Sequence, residues 1–310
     1  MNDAVRAAEA LLRAACGERV RTSFPLAPLT SFRIGGPAAL YLEVESEADL
    51  AAASQALRRT GIPVVVIGKG SNVLVSDRGV AGLVLRLGKG YRWAARDGQR
   101  LTAGGSMPLP TLSGIALAHE LSGLEFGVAI PGSFGGALRM NAGAHGSEVG
   151  DVVESVDVFE LARGAPRRVP AHEVGFRYRH TELPEDAVIV GAVLRLRADR
   201  RADIRARMDE AREWRRRTQP LAEPNCGSVF KNPEGDHAAR LIEAAGGKGV
   251  SVGGAAVSTR HANFIVTSPG ARAADVVNLI RTIQDLVARR FDVYLEPEVH
   301  LVGDFDLVPR

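Results

Sequence analysis

A chain of 310 residues is longer than one hydrophobic core usually organises, and its 45% apolar and 24% charged residues exclude both a disordered chain and a small disulfide scaffold. Lys+Arg 39 against Asp+Glu 36 leaves a net charge of +3, a thin margin for gripping a polyanion, and 5% aromatics leave few rings for base stacking. Nucleic acid is disfavoured as the main partner, whereas 34 glycines point to close backbone approach to a small molecule.

Asp3, Arg6, Glu9 and Arg13 interleave with Val5, Leu11 and Leu12, which predicts an amphipathic helix within 1–20 rather than a signal peptide. Ser46 is placed to cap a helix to about 57, and 62–67 and 83–87 read as buried strands. A helix over 110–121 puts Leu112, Ile115, Ala116 and His119 on one side, so His119 is expected to be a partly buried packing residue. The glycine-dense stretch 123–150 disfavours long elements and suits backbone-mediated binding. Strands are expected over 152–161 and 188–196, the second buried on both faces.

A charged helix over 200–217 turns Ile204, Met208 and Ala211 inward and leaves Arg212, Arg215, Arg216 and Arg217 on a solvated face. A third unit then starts near Gln219, with a Gly/Pro-rich loop, a helix over 238–245, a strand over 263–267 and a helix over 271–290. Val277, Ile280, Ile283, Leu286 and Val287 form the apolar stripe of that last helix. The division expected is 1–88, 89–199 and 200–303, with a tail over 304–310 in which Leu307, Val308, Pro309 and Arg310 look like the stub of a cleavable tag. Cys16 and Cys226 form no disulfide framework and no zinc pattern, so a reducing cytoplasm and no metal are expected. No apolar run approaches the ~20 residues of a membrane-spanning helix, and no internal repeat is visible.

Two loops carry the chemistry. Gly68, Lys69, Gly70, Ser71 and Asn72 follow a strand as a GxG dinucleotide loop would, but the third glycine is replaced by Val73 and a second β-like segment follows where a helix is needed. What remains is a strand-loop-strand turn, either an anion nest or an ordinary tight turn. In the second loop Pro131, Gly132, Ser133, Gly135 and Gly136 lead into a short helix whose N-terminal N–H groups are expected to meet phosphate. Two such loops far apart in sequence suit an extended diphosphate cofactor, and no GxxxxGK[ST] loop argues for a nucleoside triphosphate.

With Asn141-Ala142-Gly143-Ala144, Tyr178-Arg179, Gly227-Ser228-Val229-Phe230-Lys231-Asn232-Pro233 and Leu295-Glu296-Pro297-Glu298-Val299 in that order, nearly the whole chain resembles the MurB family of UDP-N-acetylenolpyruvoylglucosamine reductases. The resemblance implies an α+β chain: a vanillyl-alcohol-oxidase-like, PCMH-type FAD-binding fold of two subdomains (1–88 and 89–199) plus an α+β domain (200–303) for the UDP-sugar. It implies bound FAD, NADPH as co-substrate, UDP-N-acetylglucosamine enolpyruvate as substrate, a cytoplasmic step of peptidoglycan precursor synthesis, no membrane insertion and no obligate protein partner. Gly68, Lys69, Gly70, Ser71, Asn72, Pro131, Gly132, Ser133, Gly135, Gly136, Asn141 and Gly143 are then the expected cofactor residues, and Tyr178, Asn232 and Lys248 the substrate residues.

The catalytic residues implied are Arg179, Ser228 and Glu298. Arg179 would hold the substrate carboxylate and Ser228 would protonate carbon, helped by Lys231 or an arginine. Glu298 would lie near the carboxylate, either salt-bridged or protonated. Otherwise these are a surface arginine, a Gly-Ser turn and a strand-end carboxylate. Gln219 stands where some members carry lysine, His180 where an acidic residue is common, and no tyrosine-bearing lid is seen between Arg200 and Gln219, so the chain looks like the shorter second subtype. The alternatives are another FAD oxidoreductase or oxidase of the same fold, or a flavin-binding protein without turnover.

Overall fold

The computed structural model describes residues 3–305, and the suspected tag residues 307–310 lie outside the described residues. The chain folds as two compact units. One holds the described chain up to Thr22 with Ala39–Lys69 and Gly82–Arg215; the other holds Ser23–Ala38, Gly70–Ala81 and the described chain from Arg216 onward.

The first unit begins with helix Asp3–Cys16, which buries Val5, Ala8, Leu12 and Cys16 at helical spacing. Helix Glu47–Thr60 starts at a capping box in which the Ser46 hydroxyl accepts from the Asp49 N–H and Asp49 reaches back to Ser46, and it ends at left-handed Gly61. Both pack on a four-stranded sheet in the order Val20–Pro25, Pro37–Val44, Val80–Leu87, Val64–Val66. The expectation of a buried strand over 62–67 is corrected: Val64–Val66 pairs in parallel only with 83–85, lies at the sheet edge and leaves Val66 exposed, while Ile62 and Ile67 anchor its two ends in the core.

The second sheet of this unit is antiparallel, in the order Ala165–Pro170, Val153–Glu160, Ala187–Arg195, Arg100–Gly104, Ala94–Asp97. Its central strand Ala187–Arg195 buries alternate and adjacent residues alike, as its apolar run implies. Helix Leu109–Ala118 covers it through Leu109, Leu112, Ser113, Ala116 and Leu117. The helix stops at Ala118 and the chain turns at Glu120, φ 58°, so His119 is exposed rather than packed. The glycine-dense stretch holds only short elements, among them helix Phe134–Arg139 and the hairpin Gly143–Ala144 with Ser147–Glu148.

Helix Arg201–Thr218 buries Ile204, Met208 and Ala211 and exposes Arg212, Arg216 and Arg217. Arg215 departs from the expected solvated face: it is half-buried, and burial pulls its pKa down.

The second unit is built around helix Ala273–Phe291, which buries Val277, Ile280, Ile283 and Val287 against helix Ala238–Ala244 and a three-stranded sheet, Ser251–Val252, Ala255–Val257 and Ile265–Thr267. Phe32, Ile34 and Leu74, from the two early segments, belong to the same core. Strand His300–Val302 runs parallel to Val73–Val75, so the residues after the first glycine loop are part of this unit's framework.

Candidate active site

The first loop leaves strand Val64–Val66 and returns as strand Val73–Val75, the strand-loop-strand form expected of it. In the 68–72 stretch no backbone N–H donates to another group among the described residues, whereas Ile67 before it donates to Leu85 O at 2.9 Å. The acceptor side of the turn is tied down, with Gly70 O taking the Ser31 N–H at 2.9 Å and the Ser31 hydroxyl at 3.2 Å. Gly70 has φ 64° and packs on Leu29 and Thr30 so closely that a Cβ would collide with backbone. A fixed loop with its donors left over has N–H groups to offer to an anion.

The second loop differs from expectation. The N–H groups opening helix Phe134–Arg139 are spent within the protein: Phe134 donates to Met107 O at 2.7 Å, Gly135 to Gly105 O at 2.8 Å and Gly136 to the Ser133 hydroxyl at 3.3 Å. They are not the phosphate donors that the sequence pattern suggested. Gly135 is needed for packing, since its Cβ would stand 3.1 Å from Ile189 O and 3.2 Å from Gly105 O. Within the first unit Gly68 meets Ser133, and a Cβ at 68 would run into that hydroxyl. The free N–H groups of the first loop, with a glycine set closely beside the Ser133 hydroxyl, fit a diphosphate cofactor.

Tyr178 and Arg179 are the middle of a tight turn closed by reciprocal bonds of 3.0 Å between Arg177 and His180. Arg179 takes φ 55°, its guanidinium lies 4.9 Å from the Tyr178 ring centre, and its Nη2 donates to Gly143 O at 2.9 Å. His180 serves this turn through its backbone. The Asn141 side chain is fully buried and also spoken for: Nδ2 donates to Glu148 Oε1 at 2.6 Å and to Arg177 O at 3.0 Å, and Oδ1 accepts the Gly150 N–H at 2.9 Å. The expectation that Asn141 binds cofactor is redirected, because both amide protons are used inside the protein.

Ser228 and Glu298 are brought together in the second unit. Gly227, φ 83°, is set by Asn225, whose Oδ1 accepts the Gly227 N–H at 2.9 Å. Beyond Ser228, Val229 O accepts the Glu298 N–H at 2.7 Å, and Lys231 N–H donates to Glu296 O at 2.9 Å. Asn72 joins the same segment, its Nδ2 donating to Glu298 O at 3.1 Å and its carbonyl accepting the His300 N–H at 3.1 Å. The Cys226 thiol pKa is pushed up first by burial and then by the negative charge of Glu298.

Asn263 is buried and braces the Ser228 loop. Its Oδ1 accepts from Phe230 N at 2.9 Å, its Nδ2 donates to Phe230 O at 2.8 Å, and its backbone carbonyl takes the Val229 N–H at 2.9 Å. Burial, and after it the charge of Lys248, lowers the His261 pKa, and its ring packs on Phe264 at 4.7 Å. The two expected ligands Lys248 and Asn232, and Lys231, the expected helper of Ser228, carry local duties: Lys231 pairs with Glu296 at 2.7 Å, Lys248 pairs with Glu243 at 2.7 Å, and Asn232 Oδ1 accepts from Ala238 N at the start of helix Ala238–Ala244 at 3.1 Å. Among the described residues, no group of three or more His, Cys, Asp or Glu is placed to hold a metal.

Comparison with known proteins agrees with this geometry. Residues 38–169 match the FAD binding domain family model, and residues 219–302 match the model for the C-terminal domain of UDP-N-acetylenolpyruvoylglucosamine reductase. The reductase of that name from Heliobacterium modesticaldum is 45% identical over 282 residues, covering 90% of each chain, and that from Anaeromyxobacter sp. (strain Fw109-5) is 47% identical over 93% of this chain and 90% of its own. The crystal structure of the Thermus caldophilus reductase (MurB) superimposes with a TM-score of 0.80 at 36% identity, over 92% of this chain and 100% of that one. The PCMH-type FAD-binding fold with an added C-terminal domain, implied by the family resemblance, is the fold found, and the chain belongs to the UDP-N-acetylenolpyruvoylglucosamine reductase family.

Proposed function

We propose that this chain reduces the enolpyruvyl double bond of UDP-N-acetylglucosamine enolpyruvate to give UDP-N-acetylmuramate, a peptidoglycan precursor, with NADPH as reductant and FAD as bound cofactor. Gly68, Lys69, Gly70, Ser71 and Asn72 hold the cofactor diphosphate through backbone N–H groups, bordered by Pro131, Gly132 and Ser133. When bound, FAD supplies the hydride that the terminal methylene accepts. The remaining work falls to side chains. Hydride addition builds enolate-like charge on the substrate carboxylate, which the guanidinium of Arg179 stabilises by fixed charge. Ser228 Oγ delivers the proton to the neighbouring carbon, and Glu298 orients the groups around it. Tyr178 borders the substrate, and the region 200–303 takes up its UDP-sugar.

The observation that carries the reading is the joining of Asn72, at the end of the nest, to the segment of Glu298 that is bonded to the Ser228 loop. A cofactor loop and two candidate proton-handling residues then share one framework. The pairing of Lys231 with Glu296 and of Lys248 with Glu243 assigns these lysines to the framework in the first instance. Cytoplasmic localisation is supported by two buried, unpaired cysteines and by the lack, among the described residues, of any helix long and apolar enough to cross a membrane.

The test is a visible spectrum of the purified chain followed anaerobically. NADPH is expected to bleach the flavin, and UDP-N-acetylglucosamine enolpyruvate to restore it. Recovery only with oxygen would make the chain an oxidase, no bleaching a non-catalytic flavin binder, and a colourless chain that takes up no added FAD would end the reading altogether.

A further inference from the structure

Arg179 is an arginine in the left-handed region, φ 55°, half-buried at the centre of a two-residue turn. L side chains with branching or length avoid that conformation, and it persists only where the surroundings over-determine it. Residues 139–143 supply several of the contacts that hold it. Arg139 Nη1 donates to Leu183 O at 2.8 Å and Pro184 O at 3.0 Å, its Nη2 to Ala187 O at 2.5 Å, and its own carbonyl accepts the Thr181 hydroxyl at 3.0 Å. Those bonds fix the chain just after the turn. Gly143 O takes the Arg179 guanidinium at 2.9 Å, which fixes the side chain. Between them Asn141 reaches Arg177 O at 3.0 Å and fixes the start of the turn.

Asn141 is itself shaped for this task. It has φ 42°, which asparagine tolerates better than most residues, and it is fully buried. Its second amide proton goes to Glu148 at 2.6 Å, which decides that nitrogen rather than oxygen faces Arg177. The Gly150 N–H at 2.9 Å holds the oxygen end. Gly150 has no room for a side chain, since a Cβ would stand 2.9 Å from Asn141 Oδ1 and 2.9 Å from Phe176 Cγ, immediately before Arg177.

We propose that Asn141 is a positioning residue for the reaction: it holds the 177–180 turn in its strained form so that the Arg179 guanidinium is aimed before the substrate carboxylate arrives. The proposal rests on the reading of Arg179 as the carboxylate's partner. Misplacing a charge-stabilising group by about an ångström slows a reaction roughly 10- to 100-fold without touching groups elsewhere.

Asn141→Gly removes the amide while keeping a residue at ease with positive φ. The flavin spectrum and the rate of bleaching by NADPH are expected to stay within about twofold, while recovery with enolpyruvyl-UDP-sugar slows about 10- to 100-fold. Hydrogen exchange over 177–183 is expected to quicken in the flavin-free and the loaded protein alike. If the amide acts through the arginine, Asn141→Gly with Arg179→Ala recovers no more slowly than Arg179→Ala alone. Multiplied losses in the double variant, or unchanged recovery in Asn141→Gly, overturn the proposal. Normal recovery by Arg179→Ala alone overturns the assignment of Arg179 instead, and exchange over 177–183 then still reports whether Asn141 holds the turn. Should Asn141→Gly lose its flavin, Gly150→Ala, which pushes the same amide and keeps its atoms, is read by the same criteria.

Discussion

Gly68 lies against the hydroxyl of Ser133, the group that also caps helix Phe134–Arg139 by accepting the Gly136 N–H at 3.3 Å. A methyl group at 68 displaces that oxygen and breaks the cap, at about 1 kcal/mol. Gly68→Ala is therefore expected to lose FAD affinity, measured by flavin fluorescence on titration. Ser133→Ala added to it relieves the collision, because the Ser133 Cβ stands 3.4 Å from the new methyl, an ordinary contact. The double variant is expected to bind flavin more tightly than Gly68→Ala alone; equal or weaker binding would show that the hydroxyl is not the obstacle.

Asn263 closes the Ser228 loop with two side-chain bonds to Phe230, both buried. Asn263→Ala leaves a buried N–H and C=O without partners, at roughly 1–3 kcal/mol each. The thermal midpoint is expected to fall by several degrees, and turnover at a temperature well below it to fall as well, since Val229 and Phe230 adjoin Ser228. A variant as stable as the parent would show that water or a neighbour replaces the amide.

The local elements were legible because their causes are local. Ser46 and Gly61 bracket a helix by capping chemistry within a few residues, and the helix stripes follow from the 3.6-residue period. Burial of the 62–67 strand is not legible in this way, because an apolar run does not say whether a strand is central or at an edge. The glycines of 132–136 suggest a phosphate cradle, yet the Phe134 N–H meets Met107 O and the Gly135 N–H meets Gly105 O, partners that no spacing rule identifies. Asn141 and Arg177 are 36 positions apart, and Asn72 and Glu298 are 226 apart. The family motifs pointed to these residues, but only the fold shows which of them touch a neighbour rather than a ligand.

Asp49 contributes to the acid sensitivity of the first unit. Burial alone would raise its pKa, but bonds of 2.7 and 2.5 Å from Arg19 and of 2.8 Å from the Glu45 N–H outweigh it and hold the carboxyl at about 2, against 3.8 for the free group. A folded-state pKa below the unfolded one contributes stability that is present above about pH 4 and lost as pH falls through 2. Arg19 is half-exposed, so screening reduces the contribution to about 1–2 kcal/mol. Asp49→Asn is expected to lower stability at pH 7 by that amount and to flatten the acid limb between pH 4 and 2 in urea titrations. An acid limb identical to the parent's would assign the sensitivity elsewhere.

Ser228 and Glu298 are separable by half-reaction. Reduction of the flavin by NADPH needs no proton delivered to substrate carbon, whereas its reoxidation by the enolpyruvyl sugar does, so Ser228→Ala is expected to bleach normally and recover about 10²–10⁴-fold more slowly. Equal loss in both phases would mean that the substitution disturbs the loop held by Asn263 rather than a proton transfer. Glu298→Gln keeps the backbone bonds to Val229 and Asn72 and changes only the charge of the side chain. Slower recovery with an unaltered thermal midpoint is expected. Unchanged substrate-dependent turnover would remove the Glu298 carboxylate from the chemistry and leave its backbone as the part that matters.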